Sequence, residues 1–172
     1  LPCKNKKVEI SDNKISKVFL TNKTQLYLDE EIKFNEKISK IKNSNIWSVT
    51  LFSKCDIDDY NKIIKIEKDL KKCLKNQKIS IEQYNENKFM LYGIYGGISM
   101  NKQIDNIFNK SFDTTKLINF LKQTHSLFYG INEMHANNVI HYDIKSGNIV
   151  YNNEQFKFID FGISTTFQNI EK

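Results

Sequence analysis

The chain contains no arginine; all 26 of its basic residues are lysine. Lysine presents a point charge, whereas bidentate reading of a base edge or a phosphate calls for the planar guanidinium fork. A net charge of +6 therefore does not by itself make a specific nucleic-acid reader. Glycine is scarce too: there are six, and none precedes Gly93. The three cysteines, Cys3, Cys55 and Cys73, are odd in number and form no C-x-x-C pair. That argues against a disulfide framework or a cysteine metal site, and for free thiols in a reducing, cytoplasmic compartment. No uncharged apolar run reaches the ~18 residues of a membrane span. Leu1-Pro2-Cys3-Lys4 does not open a signal peptide. A first residue that is not methionine reads as a fragment or a processed product.

What is present suits a folded chain. A length of 172 residues fits one domain, or two small lobes sharing a cleft. Hydrophobic residues at 40% and charged residues at 27% exclude wholesale disorder. The abundance of Lys, Asn and Ile follows an A+T-rich coding sequence, and scattered lysines mostly solvate the surface.

Periodicity places the elements. Val8–Ile10 and Ile15–Leu20 alternate as strands. Residues 29–42 predict a helix, with Asp29, Glu30 and Glu31 favouring its N-terminus and Ile32, Phe34, Ile38 and Ile41 forming its apolar stripe. Residues 42–45 predict a turn. Ile46–Phe52, rich in β-branched and aromatic residues, predicts a strand. A lysine-rich helix is expected within 56–79, with Ile63, Ile66, Leu70, Cys73 and Leu74 on one face. Lys88–Tyr92 reads as a strand, 103–110 as a short helix, and Gly93–Gly97 as a lobe boundary. The strongest helical signal is 114–137, whose broad apolar face is Leu117, Phe120, Leu121, Leu127, Phe128, Ile131 and Met134, ended by Asn137-Asn138. Asn148–Tyr151 and Phe156–Ile159 read as a hairpin. Trp47 is expected in the core, and His125 and His135 on a helix face or at a cap.

One stretch carries chemistry. His141-Tyr142-Asp143-Ile144-Lys145-Ser146-Gly147-Asn148 is followed, after that hairpin, by Asp160-Phe161-Gly162. Order and spacing resemble the protein-kinase catalytic loop H-x-D-x-K-x-x-N and its metal-binding D-F-G. Asp143 and Asn148 are five apart, and Asp160 follows Asn148 by twelve, a length that lets a hairpin return Asp160 to Asn148. Phosphoryl transfer needs positioning and charge neutralisation more than covalent help. The resemblance implies that Asp143 accepts or orients the substrate hydroxyl, that Lys145 reaches the transferring phosphate, and that Asn148 and Asp160 hold Mg²⁺ through hard oxygens. His141 is implied as a structural residue packed beneath Phe161.

The chain thus resembles a eukaryotic-type serine/threonine protein kinase, with ATP and Mg²⁺ as cofactors and a protein as substrate. Its composition is similar to that of the divergent kinases of large nucleocytoplasmic DNA viruses. The implied fold is α+β and bilobal: an N-lobe of antiparallel sheet plus helix over 1–92, a hinge over 93–100, and a partial helical C-lobe over 101–172. The resemblance also asks for a lysine on a strand and a glutamate on the next helix. Lys17 and Glu31 fit, with Lys14, Lys33, Glu30 and Glu36 as rivals. A glycine-rich phosphate loop is absent before Lys17. Only ten residues follow Gly162, so a missing C-terminal segment or a partner is expected to cover apolar surface of the lower lobe. Tyr142 stands where the family has the arginine that grips a phosphate on the activation segment, which implies activity independent of that phosphate. The alternatives are a pseudokinase or regulatory fragment that binds partners, a small-molecule phosphotransferase, and non-specific nucleic-acid binding.

Overall fold

The computed structural model describes residues 14–19, 24–56, 61, 70–76, 78–86, 89–109, 113–152 and 154–170. The elements run β1 (Lys14–Phe19), α1 (Thr24–Ser39), α2 (Ser44–Trp47), β2 (Leu51–Asp56), α3 (Leu70–Asn76), α4 (Ile81–Glu86), β3 (Phe89–Ile94), β4 (Ile98–Ser99), α5 (Met100–Phe108), α6 (Thr114–Gln123), α7 (His125–Ala136), a 3-10 turn (Ser146–Asn148), β5 (Ile149–Asn152), β6 (Gln155–Phe158) and α8 (Phe167–Ile170). Two compact units emerge, Leu1–Asp29 with Leu51–Ile94, and Glu30–Thr50 with Tyr95–Lys172.

In the first unit, β3 is the central strand of an antiparallel sheet ordered β1-β3-β2. Its apolar sequence, Phe-Met-Leu-Tyr, suits a strand with neighbours on both sides. Lys17 pairs with Leu91, which is buried. The β2 register shifts between Leu51 and Ser53, a bulge that adds twist. Helix α4 opens with reciprocal caps: the Ser80 N–H donates to Gln83 Oε1 at 2.9 Å, and the Gln83 N–H donates to Ser80 Oγ at 3.2 Å. Tyr84 of α4 and Leu74 of α3 are buried.

The second unit holds one core. Phe34 and Ile38 of α1, Trp47 of α2, Leu127 and Met134 of α7, and Phe156, Phe158 and Phe161 from the hairpin and just past it pack together. Each such side chain, when fully buried, contributes roughly 1.5–3 kcal/mol of transfer free energy. The sheet here is antiparallel, ordered β4-β5-β6, with Ile149 opposite Phe158 and Tyr151 opposite Phe156. Where the chain enters β4, Gly97 has φ +109, and a Cβ there would sit 1.9 Å from the Tyr151 carbonyl oxygen. Only glycine meets both conditions.

Several expectations from the sequence are corrected here. Helix α1 begins at Thr24, not 29; Leu28, the residue just before the expected start, is fully buried, so the buried stripe begins earlier than the acidic run suggested. Ile46–Phe52 is not one strand. Ser44–Trp47 is helical, Ser48 makes an isolated parallel bridge to Phe158, and β2 starts at Leu51. β-propensity loses to the burial of Trp47. The long helix over 114–137 breaks at Thr124, whose hydroxyl donates to the Leu121 carbonyl at 2.7 Å and so competes with the helical ladder. The broad apolar face is also corrected: Leu127 and Met134 are buried, but Leu121 and Phe128 are 56% and 70% exposed. The strand expected at Val8–Ile10, together with Ile63 and Ile66, lies outside the described residues. Helix α3 falls within the lysine-rich helix expected over 56–79, whereas α4 has no counterpart in the sequence reading.

Candidate active site

The segment before the site is pinned by an antiparallel bridge. The Ile140 N–H donates to the Thr165 carbonyl at 2.8 Å, and the Thr165 N–H returns to the Ile140 carbonyl at 2.9 Å. His141 follows, buried. Its Nδ1 accepts the Asp143 N–H at 3.4 Å, and its Nε2 lies 3.0 Å from the Ile159 carbonyl oxygen. A carbonyl only accepts, so Nε2 carries the proton and the ring is neutral. Burial pushes the imidazole below its ordinary range, outweighing the hydrogen bond to Ile159 and the nearby Asp160 and Asp143 charges that raise it. The ring lies 4.9 Å from Phe161, tilted by 52°.

Tyr142 and Asp160 have φ of +64° and +63°. Non-glycine residues held in this region cost on the order of 1–3 kcal/mol each and collect at functional sites. Tyr142 is 67% exposed. These two turns set the directions of the chain immediately before Asp143 and immediately before Phe161.

Asp143 is the centre. Lys145 Nζ donates to Asp143 Oδ2 at 2.7 Å, and Asn148 Nδ2 donates to the same oxygen at 2.7 Å and to the Asp143 carbonyl at 3.0 Å. The Lys145 hydrogen bond, with lesser help from Asn148, holds the carboxyl below the usual carboxylate range. Asn148 is buried, carried by the 3-10 turn Ser146–Asn148. Its amide nitrogen is committed to Asp143, so its Oδ1 is the atom turned away from that residue. The Asn148 carbonyl accepts the Ile159 N–H at 3.0 Å, and Asp160 comes one residue later with its side chain exposed.

The structure thus joins Asp143, Lys145 and Asn148 in one hydrogen-bonded group and sets Asp160 one residue beyond the backbone partner of Asn148. Glu31, on α1, is 2% exposed. Its Oε2 lies 2.8 Å from where a Cβ on Gly162 would be, so glycine at 162 admits the carboxylate. The rivals Glu30 and Glu36, and Lys33, are exposed. Lys17 stands on β1 of the first unit, and Lys14 starts the same strand. His125 and His135 are exposed on α7, and Trp47 is fully buried. Among the described residues no cluster of three or more His, Cys, Asp or Glu could hold a metal ion. One carboxylate and one amide oxygen remain a fitting set for Mg²⁺, which keeps several waters and shares its shell with phosphate oxygens.

Two features escaped the sequence. Gly162 reads there only as the end of a motif, yet its lack of a side chain lets Glu31 approach. Asn138 reads only as a helix stop, yet it bonds to the segment after Gly162; the legible hint was an Asn-Asn pair, which suits a left-handed turn. No helix of the described residues is long and apolar enough to cross a membrane.

The family model described as the protein kinase domain matches residues 37–172. The match contains Asp143, Lys145, Asn148 and Asp160; Lys17 and Glu31 precede it. No curated protein matches the chain.

Proposed function

We propose that this chain, which belongs to the protein kinase domain family, transfers the γ-phosphate of ATP to a serine or threonine hydroxyl of a protein substrate. The mixed α+β fold and the kinase class of transferase follow from the family; the hydroxyl specificity and the residue roles are our reading. One observation carries it: Lys145 and Asn148 both grip Oδ2 of Asp143, each at 2.7 Å.

That grip leaves Oδ1 as the oxygen for the substrate hydroxyl. A carboxylate held below its usual range is a weak base at neutral pH. Asp143 therefore works first by orienting the hydroxyl and takes its proton late, as the bond to phosphorus forms. Lys145, 59% exposed at its side chain, retains donors for the transferring phosphoryl oxygens. Asn148 Oδ1 and the Asp160 carboxylate would hold Mg²⁺, which supplies charge neutralisation across the ATP phosphates when bound. Glu31 and Lys17 take the family roles of glutamate and nucleotide-facing lysine. The burial of Glu31 supports its choice over Glu30 and Glu36. Lysine two residues after Asp143 supports serine/threonine over tyrosine specificity. The same reading divides the chain into an N-lobe over 1–92, a hinge over 93–100 and C-lobe residues over 101–172. It places the protein in the cytoplasm, in keeping with an odd number of cysteines and no C-x-x-C pair, and keeps the likeness to divergent viral kinases.

A second reading, a regulatory pseudokinase, draws on the absence of glycine from residues 1–92. Transfer of radiolabelled phosphate from ATP to a generic basic protein separates the two. Asp143→Asn is expected to lower the rate about 10²–10⁴-fold, with label on serine or threonine after hydrolysis. Equal labelling by both proteins would sink the kinase reading.

A further inference from the structure

Three polar atoms of Asn138 reach three partners. Its carbonyl accepts Lys37 Nζ of α1 at 3.0 Å. Its side-chain Oδ1 accepts the Phe167 N–H at 2.9 Å. Its Nδ2 donates to Gln168 Oε1 in a short hydrogen bond. Asn138 adopts φ +55°, a conformation asparagine tolerates better than most residues. That twist turns its carbonyl and its side chain to different neighbours. The ring of His135, three residues earlier, meets Phe167 edge-on at 4.9 Å. The backbone bridge between Ile140 and Thr165 ends at Thr165, so Asn138 extends the attachment into α8.

The consequence concerns the stretch from Asp160 to Gln168. Helix α1 touches it near one end through Glu31, whose carboxylate lies against Gly162. It reaches the other end through Lys37, Asn138 and Phe167. Both links leave from one helix, so a displacement of α1 loads both ends of the stretch. Family kinases commonly order this stretch through an arginine and a phosphate; here Tyr142 replaces that arginine, and a neutral amide does the holding.

We infer that Asn138 is a positioning residue that couples α1 to the segment after the Asp160-Phe161-Gly162 turn and orders that segment without phosphorylation. The inference rests on the kinase reading only for its catalytic consequence.

Amide hydrogen exchange of the intact chain tests the latch without turnover. Asn138→Gly keeps the left-handed backbone and deletes the side chain. It is expected to speed exchange at the Phe167 amide by about tenfold or more while α7 amides hold. Asn138→Asp keeps an acceptor for that amide and is expected to restore protection. Lys37→Met, which touches neither Phe167 nor Gln168, is expected to speed the same amide severalfold, about threefold or more. In the transfer assay Asn138→Gly is expected to lower kcat about fivefold with KM for ATP changed less than about twofold. Unchanged Phe167 exchange in Asn138→Gly overturns the inference. So does faster exchange throughout the unit that Asn138→Asp fails to restore, since that is a folding defect. A silent Lys37→Met overturns the coupling to α1. A native chain that transfers no phosphate overturns the kinase reading alone, because the exchange rates judge the latch independently.

Discussion

Asn148 and Asp143 are bound to each other twice, through Asn148 Nδ2 to the carboxylate at 2.7 Å and to the backbone carbonyl at 3.0 Å. Asparagine at 148 therefore does two jobs with opposite atoms: its amide nitrogen fixes the carboxylate, and its oxygen faces away from it.

Replacing that nitrogen by oxygen should separate the two jobs. Asn148→Asp keeps an oxygen ligand but sets a second carboxylate against the first, and like charges that close cannot both ionise readily. The pair is expected to titrate with one apparent value well above the ordinary carboxylate range, seen by NMR. Phosphoryl transfer is expected to fall roughly 10²-fold. Unaltered titration of Asp143 would show that Asn148 does not hold it.

Lys145 is the larger influence on Asp143. In Lys145→Met the Asp143 carboxyl is expected to titrate higher than in the native chain. Removing a donor that favours the charged form lets a proton bind at higher pH. The acid limb of the rate profile should move up with it. A limb that stays in place would mean that another group sets the pH dependence.

His141 makes stability depend on pH. Its folded value is depressed by burial, so as pH falls below about 6.5 the unfolded chain takes up a proton first. Stability is expected to decline from that point down to the folded value, and then to level. Denaturant midpoints at several pH values check this. His141→Gln is expected to remove that part of the slope even if it lowers stability throughout.

Gly130 and Gly147 should respond oppositely to alanine. A Cβ at Gly130 would lie 2.9 Å from Trp47 Cβ, Cδ2 and Cε3, and Trp47 is wholly buried. Overpacking costs about 1–3 kcal/mol, more than the ~1 kcal/mol of helix propensity gained. Gly130→Ala is expected to lower the melting temperature by a few degrees. Nothing lies within 4 Å of a Cβ at Gly147, so Gly147→Ala is expected to leave it unchanged or slightly raised. Equal effects would refute the packing argument.

Tyr142 bears on regulation. A tyrosine cannot form an ion pair with a phosphate in the way arginine does. Phosphatase treatment of the native chain is expected to leave its transfer rate within about twofold, a coupling too small for a switch. A sharp loss would mean that another basic group replaces the missing arginine.

The limits of the sequence are visible in particular residues. The run from His141 to Asn148 was legible because its chemistry is contiguous, and a contiguous run keeps its spacing whatever surrounds it. The hairpin over 149–158 was legible because its alternation is local. Ile46 and Trp47 were misread because β-propensity is averaged over contexts, whereas here Trp47 lies in a short helix against Gly130. The helix over 114–137 was misread for a related reason. Periodicity marks Leu121, Phe128 and Ile131 as apolar but not which arc meets the core. The buried arc instead includes Ser126, whose hydroxyl donates to the Phe156 carbonyl at 2.6 Å, and Gly130.

The order of residues alone settled the chemical inventory: an aspartate, a lysine, an asparagine and a second aspartate at kinase spacing, with a hairpin between the asparagine and the second aspartate. Tertiary structure decided which oxygen of Asp143 is held, that Glu31 lies on Gly162, and that Asn138 ties α1 to α8. The last two of these relations join residues between roughly thirty and a hundred and thirty positions apart. They depend on hydrogen-bond geometry and close packing, which act through space and leave no period or spacing in the chain.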